Sequence, residues 1–260
     1  SSSSRGLGDV YKRQIMSLSK QVKIILIETT NSGNIGSALR AMKTMNFSRL
    51  CLVRPKDFPS DEVETMAANA KDLIKQIEVV DNLDDALEGM NFIVGTSSRM
   101  RKVPWPNETL ENASPRIISE VENKTNVAIL FGREDRGLTN DELQRCNLHL
   151  YIPANKDYPV LNLSMAVQVV CYQLYIDGLL HQDYVQSEYW DVPSAEANHV
   201  NRLINHFIEV AEELEVFNKG NPRQIGARIK RMFTRIGLDE MEVNFMRGFL
   251  SAVEKKLRDK

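Results

Sequence analysis

Three short polar segments contain the residues whose types and spacing could support chemistry. They are residues 31–40, 131–137 and 152–162, and each begins where an apolar, strand-like run ends. In open α/β sheets, ligands bind outside the carboxyl ends of the strands, where residues distant in the sequence can meet. The three segments therefore predict one composite site at a sheet edge.

The first segment combines two glycines with an amide and a guanidinium. Gly33 and Gly36 flank Asn34, and glycine lets the backbone turn sharply and approach a ligand closely. Arg40 follows one to two helical turns later, where its guanidinium could bind a phosphate through two hydrogen bonds. A helix N-cap at Asn34 with a surface arginine explains the pattern equally well. With a single GxxG pair, the segment does not match the dinucleotide-binding fingerprint.

The second segment contains a carboxylate between glycines. Glu134 lies between Gly132 and Gly137, directly after the apolar run 127–131. A carboxylate at this position could accept a hydrogen bond from a ligand or orient a cation such as Arg40. A solvated turn rich in charge is the alternative interpretation.

The third segment ends in an amide that precedes a long apolar run. Asn162 could cap the helix that follows, and a helix N-terminus also offers free N–H donors to a ligand. Thr96, Ser97 and Ser98 follow the apolar run 92–94 and add a fourth polar loop to the same edge. Four converging loops favour a bound cofactor, and no Walker A or GxSxG motif competes for the site.

The elements that would position these loops follow from hydrophobic periodicity. Apolar, β-branched runs predict strands at residues 22–27, 50–53, 77–80, 92–94, 127–131 and 150–152. Spacing of three to four residues predicts helices at 34–46, 61–76, 83–87, 140–145 and 162–180, the last well buried because it is apolar almost all round. This alternation predicts an α/β fold whose parallel sheet carries helices on both faces.

Composition shifts divide the chain into four parts. Residues 1–15 lack the apolar centre of a signal peptide, and we expect them to be a cloning or assembly remnant before Met16. Residues 16–180 form the α/β domain, 181–197 a polar, aromatic linker, and 198–260 a small helical extension. In that extension, helical spacing predicts apolar stripes that include the residues Ile225, Ile229, Met232, Phe233, Ile236 and Phe249.

The overall composition excludes several classes of protein. The net charge of the 260 residues is -2, so any nucleic-acid surface must be local. No apolar run approaches the ~20 residues of a membrane span. Cys51, Cys146 and Cys171 are scattered and indicate buried thiols in a reducing compartment, the cytoplasm, rather than disulfides. The four histidines form no zinc-binding pattern, and we expect no metal and no membrane partner.

One stretch of the helical extension is strongly basic. No acidic residue occurs between positions 219 and 235, a stretch that contains Arg228, Lys230, Arg231 and Arg235. The spacing of the three arginines places them on one helix face, which predicts phosphate binding. The alternative is a solvated face that glutamates of the preceding helix partly neutralise.

The polar segments also resemble the ordered motifs of a known family. Residues 34–40, 132–138 and 152–163 are similar to the three motifs of the SpoU/TrmH family of SPOUT RNA 2'-O-methyltransferases. The resemblance extends over residues 16–258 and includes 104–106 and 230–235. Within the family it is nearest to the enzymes that methylate cytidine or uridine at tRNA nucleotide 32.

The resemblance implies a fold, a cofactor and partners. The fold would carry a C-terminal trefoil knot, the cofactor would be S-adenosyl-L-methionine, and a homodimer would complete each site across its interface to act on tRNA. Arg40 would lie nearest the target hydroxyl, supported by Asn34, Glu134 and Asn162. The cofactor pocket would be formed by Thr96, Ser97, Ser98, Gly132, Ile152, Val160, Leu161 and Asn162. Methylation of another RNA, or a non-catalytic knotted RNA-binding protein, are the alternatives.

One residue departs from the family pattern. The family usually has a serine, credited with a role in catalysis, where this chain has Val160, which offers no hydroxyl. Either the reaction proceeds without that group, the substrate differs, or activity is reduced. A guanidinium pKa above ~12 disfavours Arg40 as a base, so we expect it to clamp a phosphate and orient the hydroxyl.

Overall fold

Seven parallel strands form the centre of the molecule. The computed structural model describes residues 18–97, 107–180, 192–216 and 222–258. For residues 179, 180 and 222–224 it describes the backbone only. The strands are β1 (Val22–Ile27), β2 (Arg49–Val53), β3 (Glu78–Val80), β4 (Phe92–Thr96), β5 (Asn107–Thr109), β6 (Val127–Phe131) and β7 (Leu148–Tyr151). The helices are α1 (Ser32–Thr44), α2 (Asp61–Ala67), α3 (Lys71–Ile74), α4 (Leu83–Ala86), α5 (Leu110–Glu122), α6 (Asn140–Leu143), α7 (Leu163–Leu180), α8 (Ala197–Glu213), α9 (Pro222–Ile236) and α10 (Glu240–Arg258), with a 3₁₀ turn at Ala68–Ala70.

The strand order reverses next to β1. The order across the sheet is β3-β2-β1-β6-β4-β7-β5, and Ile25 of β1 pairs with Cys51 of β2 on one side and Leu130 of β6 on the other. The strands β2 and β3 extend the sheet in one direction from β1, and β6, β4, β7 and β5 extend it in the other. Ligand sites of open α/β sheets form outside the carboxyl ends of strands at such a reversal.

Helices cover both faces of this sheet, which confirms the predicted fold class. Successive side chains of a strand point to opposite faces, so β1 contributes Ile24 to one core layer and Ile25 to the other. The first layer also contains residues of α1, α2, α5 and α7. The second, smaller layer contains residues of α4 and α6. Because both faces are covered, the central strands β1, β4 and β6 are largely apolar without alternation.

Several element boundaries differ from the predictions. α1 begins at Ser32 with Asn31 as the N-cap residue, so Asn34 lies inside the first turn rather than at the cap. The predicted helix 61–76 is interrupted at Ala68, whose φ of 49° leaves the helical region. β5 and α5 were not predicted, because β5 is polar and α5 contains Pro115, which normally breaks a helix.

The C-terminal helices α8, α9 and α10 have a core of their own. Leu203, Phe233 and Leu250 are buried in it, and the rings of Phe207 and Phe233 meet edge to face at 5.3 Å. The predicted apolar stripes lie on helices α9 and α10, but they are only partly buried, since the exposed residues include Ile225, Met232, Ile236 and Phe249. Packing against α8 buries the Phe233 side of α9, and periodicity alone does not reveal which apolar face meets the neighbouring helix.

The three cysteines of the chain are buried in the core. Cys51, Cys146 and Cys171 are free and buried, and burial raises the pKa of the Cys51 thiol to about 12. In the described ranges, no helix combines the length and apolar character needed to cross a membrane. The same ranges contain no group of three or more His, Cys, Asp or Glu side chains placed to hold a metal ion.

Candidate active site

A cleft opens at the carboxyl edge of the sheet, between the loops that follow β4, β6 and β7. The cleft has a volume of about 140 Å³ and is partly open to solvent. Seven of its lining residues are Thr96, Ser97, Gly132, Glu134, Ile152, Val160 and Leu161. Six of these seven, all except Glu134, are predicted cofactor residues, and the structure brings them together.

Two glycines give the loop after β6 its shape. A Cβ on Gly132 would lie 2.1 Å from the carbonyl carbon of Gly137, so any side chain would displace the backbone. Gly137 has a φ of +70°, and its N–H donates to the carbonyl of Arg133 at 2.8 Å. The loop therefore folds back on itself and presents its backbone to the cleft.

A chain of hydrogen-bonded side chains joins the three polar segments. Asn162 Nδ2 donates to Asn34 Oδ1 at 3.0 Å, and Asn34 Nδ2 donates to Glu134 Oε1, also at 3.0 Å. These residues are separated by 128 and 100 positions in the sequence, so the sheet alone brings them together. The three segments thus form one structural unit beside the cleft.

The direction of this chain is set at the start of α7. Asn162 Oδ1 accepts from the backbone N–H of Ser164 at 2.9 Å and from the Ser164 hydroxyl at 2.7 Å. With its oxygen committed to the helix cap, the amide can offer only its NH₂ group to Asn34. Asn162 therefore caps the helix and also orients Asn34.

Glu134 is held as an ionised acceptor at the end of this chain. Besides Asn34, it accepts from the N–H and hydroxyl of Thr30 and from the N–H of Asn31, at 3.0–3.3 Å. Burial raises the pKa of Glu134, but the hydrogen bonds from Asn34, Thr30 and Asn31 outweigh burial, so that the pKa lies below its ordinary value. Within the described residues its partners are these groups and not Arg40.

Arg133, to which the sequence analysis assigned no role, holds the same loop in place through two ion pairs. Its side chain, 6% exposed, donates from Nε to Glu28 at 2.6 Å and from Nη1 to Glu142 at 3.0 Å. Glu28 follows β1 directly, and it also pairs with Arg54, which follows β2. The loops after three neighbouring strands are thus tied by one row of alternating charges.

This row of charges shifts the titration of its members. Arg133 and Arg54 lower the pKa of Glu28 to about 2, against a partial opposing effect of burial. Glu28, assisted by Glu142, raises the pKa of Arg133. The sequence carried one signal for part of the row: the capping box of Thr139 and Glu142, which the structure contains.

Arg40, a predicted catalytic residue, is not part of this unit. Arg40 is exposed on α1 and does not line the cleft. Ser98 lies outside the described residues.

Apolar side chains surround one side of the cleft and continue along α7. Val160 beside the cleft and Met165 and Tyr172 on α7 are each more than half exposed, and Tyr158 is more exposed still. The prediction that α7 is well buried is therefore wrong for one of its faces. A helix that is apolar all round but buried on one side leaves a face suited to a further contact.

The basic residues of α9 are partly available to solvent. Arg228 and Arg235 are exposed two helical turns apart, whereas Lys230 and Arg231 are half-buried. Among the described residues no ion pair joins Arg228 or Arg235 to a carboxylate. Their charge is thus not neutralised by the glutamates of α8 that lie within those ranges.

Comparison with known proteins places this arrangement in a family. Residues 21–172 match the model of the SpoU rRNA Methylase family, and residues 198–260 match the C-terminal domain of tRNA methyltransferase TrmJ. The chain belongs to the SpoU methylase family and is a methyltransferase.

The similar proteins include curated and solved members named TrmJ. The tRNA (cytidine/uridine-2'-O-)-methyltransferase TrmJ of Pectobacterium atrosepticum is 41% identical over 234 residues, covering 90% of this chain and 97% of that protein. The TrmJ of Citrobacter koseri is 38% identical over 242 residues, covering 93% and 99%. The crystal structure of TrmJ from Z. mobilis ZM4 has a TM-score of 0.76 at 27% identity, covering 89% and 98%. These similarities confirm the predicted family and its SPOUT fold.

Proposed function

We propose that this methyltransferase transfers the methyl group of S-adenosyl-L-methionine to a ribose 2'-hydroxyl of tRNA, at the cytidine or uridine of nucleotide 32. The observation that carries the proposal is the Asn162–Asn34–Glu134 hydrogen-bond chain beside the open cleft. The names of the similar proteins support tRNA as substrate and the 2'-oxygen as the position modified.

The chemistry of the cleft fits this cofactor. Apolar side chains such as Leu138, Leu150 and Ile152 line it and suit the flat face of a purine, while Glu134 and Asp135 suit a cationic ligand. The predicted cofactor residues Thr96 and Gly132 would contribute largely through backbone groups, because the Thr96 hydroxyl already donates to the carbonyl of Leu130. When bound, the cofactor supplies a methyl group activated by a sulfonium.

The chain's own residues must orient the hydroxyl and let its proton leave. Glu134 accepts from four donor groups and its pKa lies below the ordinary value, so it holds Asn34 in place rather than accepting the proton. Asn162 fixes the same amide from the other side. In this proposal Arg40 clamps the neighbouring phosphate and aligns the hydroxyl, and the phosphate relays the proton to solvent.

The exposed position of Arg40 is consistent with a homodimer. Since Arg40 does not line the cleft of its own chain, we infer that it enters the cleft of a second copy. Val160 lines the cleft, Met165 and Tyr172 are exposed on α7, and this apolar surface supports an interface at this place. The same proposal includes a C-terminal knot, a cytoplasmic location and the domain limits 16–180, 181–197 and 198–260.

Two measurements test the proposed function. Calorimetry with S-adenosyl-L-methionine should show binding that Gly132→Ala abolishes, because the added Cβ displaces the backbone of Gly137 and Leu138. Nucleoside mass spectrometry of tRNA treated with enzyme and cofactor should show a 2'-O-methylated pyrimidine at nucleotide 32. Cofactor binding without any methylated nucleoside would favour the non-catalytic alternative. Methylation of ribosomal RNA alone would show that the substrate is ribosomal RNA and not tRNA.

The first prediction concerns the missing hydroxyl at position 160. Val160 lines the cleft with its side chain half exposed, so a serine fits there without repacking. If the reaction needs a hydroxyl, Val160→Ser raises kcat by roughly tenfold or more, the size of one transition-state hydrogen bond. Single-turnover methylation of tRNA measures this, with Val160→Ala as the control for side-chain size. We expect Val160→Ser to change kcat less than threefold, because the Asn162–Asn34–Glu134 hydrogen bonds are complete without a hydroxyl at position 160.

The second prediction concerns the basic face of α9. Replacing Arg228 and Arg235 by Gln should weaken tRNA binding and reduce the slope of log K against log salt by roughly one per arginine. A filter-binding series between low and moderate salt measures both quantities. The control is Lys75→Gln, which changes an exposed lysine just before the edge strand β3. This variant should leave the slope unchanged. An unaltered slope in the double variant would remove α9 from the RNA-binding surface.

A further inference from the structure

The C-terminal helices are attached to the sheet at the edge opposite the cleft. The N–H of Ala197, the first residue of α8, donates to the carbonyl of Met90 at 2.8 Å. Asn91 Nδ2 donates to the carbonyl of Ser194 at the same distance. Met90 and Asn91 directly precede β4, whereas Thr96 at the other end of β4 lines the cleft.

The side-chain amide of Asn147 joins this edge to the basic helix. Asn147 precedes β7, and its Oδ1 accepts from the N–H of Ile93 at 2.6 Å. Its Nδ2 donates to the carbonyl of Thr234 at 2.9 Å, across 87 positions of sequence. Thr234 lies in the last turn of α9, where carbonyls have no N–H partner within the helix. Asn147 therefore links a strand of the catalytic domain to the C-terminal end of the helix that carries Arg228 and Arg235.

A second link prevents rotation about the first. Arg145 donates from Nη2 to Asn198 Oδ1 at 3.0 Å and forms an ion pair with Asp84. Asn198 Nδ2 in turn donates to the carbonyl of Asp84 at 3.2 Å. With α8 held at Asn198 and α9 held at Thr234, two helices of the module are fixed to the same edge.

We propose that Asn147 is a positioning residue for the tRNA, which sets the location of the basic face of α9 relative to the cleft; this inference rests on the proposed function. The five residues of β4 separate the two ends of the sheet by roughly 16 Å. RNA phosphates bound by α9 therefore lie well away from the methylated ribose. A fixed offset favours RNAs that reach both places at once, by the effective-concentration advantage of two linked contacts.

The test distinguishes the two hydrogen bonds of the Asn147 side chain. Asn147→Asp keeps an oxygen for the N–H of Ile93 but removes the donor to Thr234 and sets a carboxylate against its carbonyl. We expect KM for tRNA to rise roughly five- to tenfold, with kcat and the Kd of S-adenosyl-L-methionine within twofold of wild type. Hydrogen exchange of the peptide that contains the Ala197 amide should accelerate in the same variant, because that amide loses the support of the neighbouring contact.

The matched control is an asparagine at the same edge. Asn126 precedes β6, and its Nδ2 donates to Gly89, within the catalytic domain. Asn126→Ala should leave KM for tRNA unchanged. An equal rise in KM in both variants, or an unchanged KM in Asn147→Asp, would overturn the proposal. If the wild type methylated no tRNA, the proposed function would fail by itself, and unchanged exchange in Asn147→Asp would separately refute the link.

Discussion

Replacing Arg40 by lysine is expected to lower kcat for tRNA methylation by about 10²-fold or more, while the Kd of S-adenosyl-L-methionine stays within twofold. A guanidinium holds a phosphate through two parallel hydrogen bonds, whereas an ammonium is a point charge that cannot fix the same geometry. Cofactor binding should survive, because the proposed role of Arg40 is to hold an RNA phosphate, and the residues that line the cleft are unchanged in this variant. Single-turnover kinetics and calorimetry measure the two quantities. Equal activity in the lysine variant would refute the clamp role.

Two further variants sharpen this result. Arg116→Lys on α5 changes an arginine that lies over the Phe92 ring, away from the cleft, and should keep full activity. Mixing Arg40→Ala chains with Gly132→Ala chains tests whether the site is shared between subunits. If it is, mixed dimers contain one intact site and restore roughly a quarter of wild-type activity from two inactive variants. Absence of any recovery would place Arg40 in the site of its own chain.

The loops of the site could be predicted from sequence because each polar residue directly follows a strongly apolar strand. β1 and β6 are buried on both faces and are apolar except for Lys23, so their ends were clear. Asn34 and Glu134 follow these ends, and parallel strands place such residues at one edge. Asn162 was predictable as a helix cap, and its second contact with Asn34 uses the half of the amide that the cap leaves free.

The row of charges beneath the loop was not predictable by the same reasoning. Glu28 meets Arg133 only because β1 and β6 are neighbours, 105 positions apart in sequence. Hydrophobic periodicity identifies strands but does not give their order in a sheet. The crossover that places β6 next to β1 therefore determined a contact that no local pattern contained.

Tertiary packing overrode local pattern in two other places. On α9, Ile225, Met232 and Phe233 belong to one apolar stripe, yet Phe233 is buried against α8 while Ile225 and Met232 are exposed. On α7, an apolar surface all round predicted burial, yet one face is exposed in the single chain. A family resemblance supplied the homodimer as an expectation, and the exposed face is the physical feature that such an expectation requires.

Replacing Arg133 by methionine is the variant with the largest expected effect on stability. The change leaves Glu28 and Glu142 without their shared buried partner, and breaking such a network costs about 3 kcal/mol or more. The corresponding fall in Tm is on the order of 10 °C. Because Arg133 also holds the loop with Gly132 and Glu134, the Kd of S-adenosyl-L-methionine should rise roughly tenfold through loss of preorganisation.

The pH dependence identifies the cause of this loss. A carboxyl whose folded pKa is about 2 against an ordinary 4.5 contributes stability that is present above pH 4.5 and is lost as the pH falls towards 2. The difference in unfolding free energy between wild type and Arg133→Met should therefore be largest at neutral pH and narrow below pH 4.5. Glu28 is 26% exposed, so solvent screening limits its share to ~1–2 kcal/mol.

The control for this variant removes the other partner of the same carboxylate. The Arg54 side chain is 55% exposed, and Arg54→Met should cost under ~1 kcal/mol, since exposed ion pairs contribute little. Urea unfolding of both variants at neutral and acidic pH compares them directly. Equal destabilisation by the two substitutions, or a difference for Arg133→Met that persists unchanged at low pH, would show that packing of the long side chain, and not its pairing with Glu28, is what holds the loop.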